Sequence, residues 1–188
     1  AKIRGQITEE QYTGYIEELK AIPDKISRII EDKERLQWFA SKQVNAKDIF
    51  FIGRGIDYAI SLEGSLKMKE ISYIHSEAYA AGELKHGTIS LVEENMPVLC
   101  VITNKALKDK SISNLKETEA RGAFGIVITT KDLDDFEDYT KIVVPTTSMF
   151  TQSMLVVPAL QLLSYYVALK RGCDIDKPRN LAKSVTVE

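Results

Sequence analysis

From Lys47 onward, short apolar runs alternate with longer segments of helical periodicity, and this alternation constrains the fold more than any other sequence feature. The apolar runs contain few polar residues at alternate positions, which is typical of parallel strands covered on both faces. The sequence therefore predicts an α/β fold, a three-layer α-β-α sandwich with a mainly parallel sheet. The predicted strands are 48–52, 98–103, 125–130 and 142–144, and the predicted helices are 56–73, 106–121 and 151–171.

Ligands of such open sheets bind at the carboxyl ends of the strands. We therefore expect a cleft where the Gly53–Gly55 turn meets the Thr103–Asn104 turn. The first turn has two of the three glycines of a dinucleotide-binding motif, but Tyr58 stands at the third position. Asp57 adds a negative charge where a phosphate would lie, so we do not expect a nucleotide there.

A helical segment precedes the alternating region. Thr8 has the sequence context of a capping residue for a first helix, which we expect to end before Pro23 begins a second. A third helix is predicted over 32–43, with Trp38 in the core. The first five residues resemble the end of a helix, which indicates that the chain is a piece of a longer protein.

The composition excludes several classes of function. The 188 residues are 44% hydrophobic, enough for the core of one domain, and the net charge of −2 is not concentrated in a basic patch for nucleic acid. The longest apolar runs, such as 154–163, are shorter than the roughly 20 residues of a membrane span. The cysteines, Cys100 and Cys173, are isolated and share no metal-ligand spacing with the histidines. We expect a cytoplasmic protein without metal or cofactor, with Cys100 as a core residue.

Charged residues stand next to an apolar arc on the helix 56–73. Three apolar residues fall within about 60° of one another at 100° per residue: Ala59, Leu62 and Leu66. Glu70 falls inside this arc, and Glu63 and Lys67 lie on its shoulder. Either Glu63 and Lys67 form an ordinary surface ion pair, with Glu70 near the helix end, or the three groups serve proton transfer at a cleft edge.

The two histidines differ in context. His75 lies in a short apolar stretch and is interpreted as structural, whereas His86 lies in a polar turn beside Gly82 and Gly87. An exposed loop histidine is either an ordinary surface residue or an acid–base group. No Ser-His-Asp order is present.

Three segments together resemble one enzyme family. The runs 62–73 and 77–87 and the tail 178–188 are similar to the second sugar-isomerase (SIS) subdomain of the glutamine–fructose-6-phosphate aminotransferases. The resemblance implies an SIS domain over 46–172. It also implies a helical lead-in over 1–45 from a preceding SIS subdomain, and a tail over 173–188 that carries a Schiff-base lysine.

The resemblance also implies an activity. In this family, ammonia from glutamine passes to fructose 6-phosphate, and the product is glucosamine 6-phosphate. Glu70 resembles the base that moves a proton between sugar C1 and C2, Lys67 assists at the neighbouring hydroxyl, and Glu63 belongs to the same substrate-binding cluster. Ala182 is the other substrate-binding residue that the resemblance implies. A carboxylate suits this role because it can take a proton next to a carbonyl and return it nearby.

Two further roles come from the same resemblance. His86 matches the ring-opening histidine, which in this family reaches the active site of a neighbouring subunit, so a homodimer is implied. Lys183 matches the lysine that forms a Schiff base with the open-chain ketose. An amine attacks a carbonyl only when it is neutral, so Lys183 needs surroundings that lower its pKa.

The sequence departs from the family pattern in what it lacks. The serine- and threonine-rich phosphate loop of the first SIS subdomain has no counterpart in the turn 102–105, and no catalytic cysteine stands at Ala1. We therefore expect the first SIS subdomain and the glutaminase domain to be missing partners on the same polypeptide, and the chain alone to be inactive. Two alternatives stay open: a fructosamine-6-phosphate deglycase and a non-catalytic module that senses sugar phosphates.

Overall fold

The sheet is parallel throughout. The computed structural model describes residues 1–181, and within that range five strands pair in the order β2-β1-β3-β4-β5. The strands are β1 Asp48–Gly53, β2 His75–Ala80, β3 Pro97–Ile102, β4 Phe124–Thr130 and β5 Thr140–Val144.

Helices cover both faces of this sheet. They are α1 Glu9–Glu31, α2 Lys33–Gln43, α3 Ile56–Ser72, α4 Lys108–Glu119 and α5 Ser153–Lys170. Helices α1, α2, α3 and α5 pack on one face, and α4 packs on the other together with the short 3₁₀ helix Ala81–His86. The predicted three-layer sandwich is confirmed.

Each face of the sheet has its own apolar core, because side chains alternate along a strand. In β1, Ile49 and Phe51 face α3 and α5, whereas Phe50 and Ile52 face α4. Cys100 belongs to the α4 side and is fully buried, which raises the pKa of its thiol far above the ordinary value. The prediction of Cys100 as a core residue is confirmed.

Strand β2 is absent from the sequence prediction. It lies at the sheet edge, and its inward-facing residues, Ser76 and Ala78, are small. Ser76 is buried because its hydroxyl donates to the backbone oxygen of Ser65 on α3, at 2.8 Å. A strand that packs through small residues and side-chain hydrogen bonds has almost no apolar periodicity to detect.

Helix α1 passes through the position where a boundary was expected. The prediction that Pro23 begins a second helix is wrong, since Pro23 lies inside one helix of 23 residues. The capping box at Thr8 is present. A proline inside a helix removes one hydrogen bond. We attribute the continuity to packing, because Ile22 and Ile29 are buried on either side of Pro23.

Trp38 is not a core residue. Its side chain is 49% exposed and stacks edge-on against Phe39, which is the buried residue of the pair. Both residues lie on α2, and the helix period directs only one of them to the sheet.

Helix α5 is the one helix within residues 1–181 that is long and apolar enough to cross a membrane by length and composition. Here it packs in the core, and its most deeply buried residues contact the sheet and α3: Leu155, Val156, Leu163 and Val167. A core helix of this kind passes the same test of composition as a membrane span.

Candidate functional site

The apolar arc of α3 faces outward and not into the core. Leu62 is 48% exposed and Leu66 is 43% exposed. The buried face of α3 instead carries Ile60 and Met68 together with small residues such as Ser61 and Ser65. Gly64 permits close packing there, because a Cβ atom at this position would lie 2.8 Å from Leu160 Cδ1. Small side chains therefore allow this face of α3 to pack closely against α5.

The three charged residues next to this arc form one cluster. Lys67 Nζ lies 2.6 Å from Glu70 Oε2 and 3.9 Å from Glu63 Oε1. All three side chains are about one-third exposed or less, so they are reachable by a ligand but partly desolvated. The hydrogen bond that Lys67 donates to Glu70 raises the pKa of Lys67, which therefore stays cationic at neutral pH.

This cluster does not lie at the cleft that the sequence predicts. Helix α3 leaves the carboxyl end of β1 and runs back to the start of β2, and Glu70 lies in its last turn, near the amino ends of the strands. At the carboxyl ends of the strands, the Gly53–Gly55 turn does meet the Thr103–Asn104 turn. There Thr103 donates hydrogen bonds to the carboxylate of Asp57, and the two residues occupy the space between the turns. The cluster is therefore separate from the cleft expected at the carboxyl ends of the strands.

Asp57 has a structural role that sequence reasoning missed. Its carboxylate is 1% exposed and accepts hydrogen bonds from the backbone N–H and the hydroxyl of Thr103. Burial raises the pKa of Asp57, although these hydrogen bonds oppose the shift. Gly53 allows this arrangement, because a Cβ atom there would lie 2.4 Å from the carbonyl carbon of Asp57.

His86 points away from the cluster. Its side chain is 76% exposed, and its Nε2 lies 3.7 Å from Glu83 Oε2. Among residues 1–181, no hydrogen bond or ion pair joins His86 to the cluster on α3. His75 is also exposed and pairs with Asp48 at 2.6 Å, as a surface residue at the start of β2.

The C-terminal tail begins beside the last turn of α3. The backbone N–H of Arg179 donates to the Tyr73 hydroxyl at 2.9 Å, and its guanidinium carbon lies 4.2 Å from the centre of the Tyr73 ring. Tyr73 ends α3 in the left-handed conformation, three residues after Glu70. Ala182 and Lys183 lie outside the described residues 1–181.

No metal centre is evident in the part of the chain that the structure describes. Within residues 1–181, no three His, Cys, Asp or Glu side chains are grouped so as to hold a metal ion. The Glu63–Lys67–Glu70 cluster instead has the composition of an acid–base site, with two carboxylates and one ammonium group.

The fold and the sequence assign the protein to a class: the chain belongs to the SIS domain family, whose model matches residues 44–171. It is 50% identical over 188 residues to the glutamine–fructose-6-phosphate aminotransferase [isomerizing] of Caldanaerobacter subterraneus subsp. tengcongensis, an alignment that covers 98% of this chain. The chain spans about 31% of the length of the curated relatives that it matches.

Solved structures give the same assignment of fold. The C-terminal domain of glucosamine-fructose-6-phosphate aminotransferase from Francisella tularensis matches with a TM-score of 0.87 and 38% identity, over 94% of this chain and 50% of that one. Glucosamine-6-phosphate deaminase from Thermotoga maritima matches with a TM-score of 0.65 and 26% identity, over 99% of this chain and 52% of that one.

Proposed function

We propose that this chain is the second SIS subdomain of a glutamine–fructose-6-phosphate aminotransferase, and that it supplies the proton-transfer and Schiff-base groups for making glucosamine 6-phosphate. The observation that carries the proposal is the Lys67–Glu70 pair on the outward face of α3, in a chain 50% identical to such an enzyme. Fructose 6-phosphate is the substrate, and the remaining domains of the polypeptide supply phosphate binding and ammonia.

The chain divides into three parts in this proposal. Residues 1–45 lead in from the preceding SIS subdomain, 46–172 form the SIS domain, and 173–188 form the catalytic tail. Helices α1 and α2 of the lead-in support the SIS domain, because Ile29, Leu36 and Phe39 are buried in the same core as the sheet. The enzyme works in the cytoplasm as a homodimer.

Glu70 acts as the base that carries a proton between C1 and C2 of the open-chain sugar, and Glu63 contributes to binding its hydroxyl groups. Lys67 donates a hydrogen bond to the carboxylate of Glu70 at 2.6 Å and holds it in position. It also offers its remaining N–H donors to the sugar oxygen next to the transferred proton. One carboxylate and one cation at hydrogen-bonding distance are sufficient for this transfer.

Lys183 supplies the amine that forms the Schiff base, and Ala182 contacts the sugar beside it. The support for the role of Lys183 is the position of the tail before it. The tail is tied to Tyr73 through Arg179, which stands four positions before Lys183, and four residues extend at most about 14 Å. The cationic Lys67 would lower the pKa of an amine placed next to it, which favours the neutral, nucleophilic form.

His86 opens the sugar ring in the active site of a neighbouring subunit. Its 76% exposed side chain is available to a second molecule, and none of its contacts within residues 1–181 reaches the cluster on α3. This role requires the homodimer.

The first test replaces Glu70 with Gln in the full-length polypeptide. We expect glutaminase activity to persist and sugar isomerisation to fall by about 10²- to 10⁴-fold, because the amide cannot accept the proton. The control is Glu77→Gln, which removes a more exposed carboxylate that pairs with Lys69 and His75 instead. Normal isomerisation by the Glu70→Gln enzyme would exclude Glu70 as the base.

The second test traps the Schiff base. Full-length enzyme incubated with fructose 6-phosphate and borohydride should carry a covalent sugar on Lys183, located by mass spectrometry of the C-terminal peptide. Lys183→Arg should abolish trapping, whereas Lys177→Arg, at an exposed tail position, should leave it unchanged. Trapping at another lysine only would remove Lys183 from the mechanism.

The two alternatives have less support than the synthase. The chain is 50% identical to an aminotransferase over 188 residues, and this identity favours the synthase. A glutaminase domain encoded in the same gene would separate the synthase from a deglycase. A non-catalytic sensing module would have no use for the cluster on α3, so it should tolerate Glu70→Gln without any change in function.

A further inference from the structure

A groove lies along the free edge of β5, away from the cluster on α3. It has a volume of about 260 Å³ and is lined by α1, α2, the strand β5 and Lys131, the first residue after β4. Its apolar surface includes Ile29, Leu36 and Val144. The sheet order places β5 at the opposite edge from β2, which neighbours α3. The four strand spacings between these edges amount to about 19 Å.

Three cations from three different elements converge on this groove. They are Arg28 of α1, Arg35 of α2 and Lys131. Within residues 1–181, none of them forms an ion pair with a carboxylate, and Asp32, which also lines the groove, forms none either. The lining therefore carries three cations against one carboxylate, and this excess of positive charge favours an anion.

Arg35 is already held in position for such an anion. One of its terminal nitrogens donates to the backbone oxygen of Lys141 on β5 at 2.6 Å. A guanidinium group has five N–H donors, so this bond fixes the group and leaves other donors for a ligand. Because the side chain is fixed in advance, less conformational entropy is lost when a ligand binds.

We propose that this groove binds a phosphorylated small molecule, with the phosphoryl group among Arg28, Arg35 and Lys131 and the organic part against the apolar surface. Arginine pairs with phosphate oxygens through two parallel N–H donors, and lysine adds a point charge. An apolar floor next to a cationic rim favours a phosphate monoester over free phosphate. The site is separate from the proposed sugar site, so either proposal can fail without the other.

Titration of the 188-residue chain tests the proposal, with phenyl phosphate as the probe and inorganic phosphate and phenol for comparison. At constant ionic strength, we expect saturable binding of phenyl phosphate by calorimetry, weaker binding of inorganic phosphate and none of phenol. Amide NMR shifts should concentrate at Arg28, Lys131 and Val143. The double variant Arg28→Gln/Lys131→Gln should weaken phenyl phosphate binding by about tenfold or more.

The control variant is Lys20→Gln/Lys33→Gln, which also removes two positive charges, but from exposed positions of α1 and α2 outside the groove lining. It should bind phenyl phosphate as the unmodified chain does. Arg35 is left unchanged because its replacement would also break the contact with β5. The absence of saturable binding, equal weakening in both double variants, or equally tight binding of phenol would overturn the proposal.

Discussion

Asp57 shows how a buried carboxylate can hold two loops together and also make stability depend on pH. It joins the turn after β1 to the turn after β3 through Thr103. Burial raises the pKa of Asp57 above its ordinary value of 3.8. The folded protein therefore binds more protons than the unfolded chain above that value, and Asp57 lowers the free energy of unfolding as pH rises through the folded-state pKa.

Substitution of Asp57 separates its charge from its hydrogen bonds. Asn can keep both contacts with Thr103, because its oxygen can accept from the backbone N–H while its amide donates to the hydroxyl oxygen. We expect Asp57→Asn to lose the fall in free energy of unfolding just above pH 3.8 and to be at least as stable as the unmodified chain at pH 7. Denaturant unfolding between pH 3.5 and pH 7 measures the difference.

Asp57→Ala is the companion variant. It leaves the Thr103 donors without their acceptor, so we expect a loss of about 1–3 kcal/mol in the free energy of unfolding. An Asp57→Asn variant that follows the same pH dependence as the unmodified chain would show that another group is responsible.

At the scale of an element, α3 depends on one glycine. Glycine inside a helix ordinarily lowers stability by about 1 kcal/mol relative to alanine. At Gly64, however, a Cβ atom would lie 2.8 Å from Leu160 Cδ1 and 3.1 Å from the ring of Phe51. The packing penalty then exceeds the gain in helix propensity, because overpacking a core costs about 1–3 kcal/mol.

We therefore expect Gly64→Ala to lower the free energy of unfolding, although the same change at an open helical position raises it. Gly14 in α1 provides that comparison, since nothing lies within 4 Å of a Cβ atom built there. Gly14→Ala should stabilise the chain by up to about 1 kcal/mol. If the contact with α5 dominates, the two variants should change the free energy of unfolding in opposite directions. If helix propensity dominates, the two changes should have the same sign. Thermal or denaturant unfolding measures both changes.

The elements differ in how well the sequence predicts them. Strands β1, β3 and β4 are continuous apolar runs, and each lies within one residue of its predicted bounds. Strand β2 and the buried face of α3 consist mainly of small side chains, and their burial depends on close approach and on hydrogen bonds such as Ser76 to Ser65. Those contacts depend on tertiary structure, so periodicity alone cannot predict them.

For the whole molecule, the sequence predicts local contacts at the candidate site but misses those that depend on tertiary structure. The spacing of Glu63, Lys67 and Glu70 correctly places the three groups together, since residues three and four apart share a helix face. The tie between Arg179 and Tyr73 joins residues 106 positions apart in sequence, and no local pattern indicates it.

The exposed arc of α3 bears on how this chain fits into a larger protein. Leu62 and Leu66 of the arc, and Ile56 at the start of the helix, are each between 43% and 49% exposed. The arc lies next to the Glu63–Lys67–Glu70 cluster. The chain spans about 31% of its curated relatives, and we propose that another part of the full-length polypeptide covers this arc. An apolar side chain that is covered contributes about 25 cal/mol per Å² of buried apolar area.

Replacing Leu62 and Leu66 with Ser tests this arrangement, because the 188-residue chain and the full-length polypeptide should respond differently. In the 188-residue chain both side chains face water, so the double variant should unfold within about 0.5 kcal/mol of the unmodified chain. In the full-length polypeptide it should lower the thermal unfolding temperature and the rate of sugar isomerisation, because two covered leucines are lost beside the candidate site. Leu91 lies outside α3 and is 59% exposed, so Leu91→Ser should change neither the stability of the 188-residue chain nor the stability and isomerisation rate of the full-length polypeptide. Equal behaviour of the double variant in both preparations would mean that the arc stays exposed in the full-length protein.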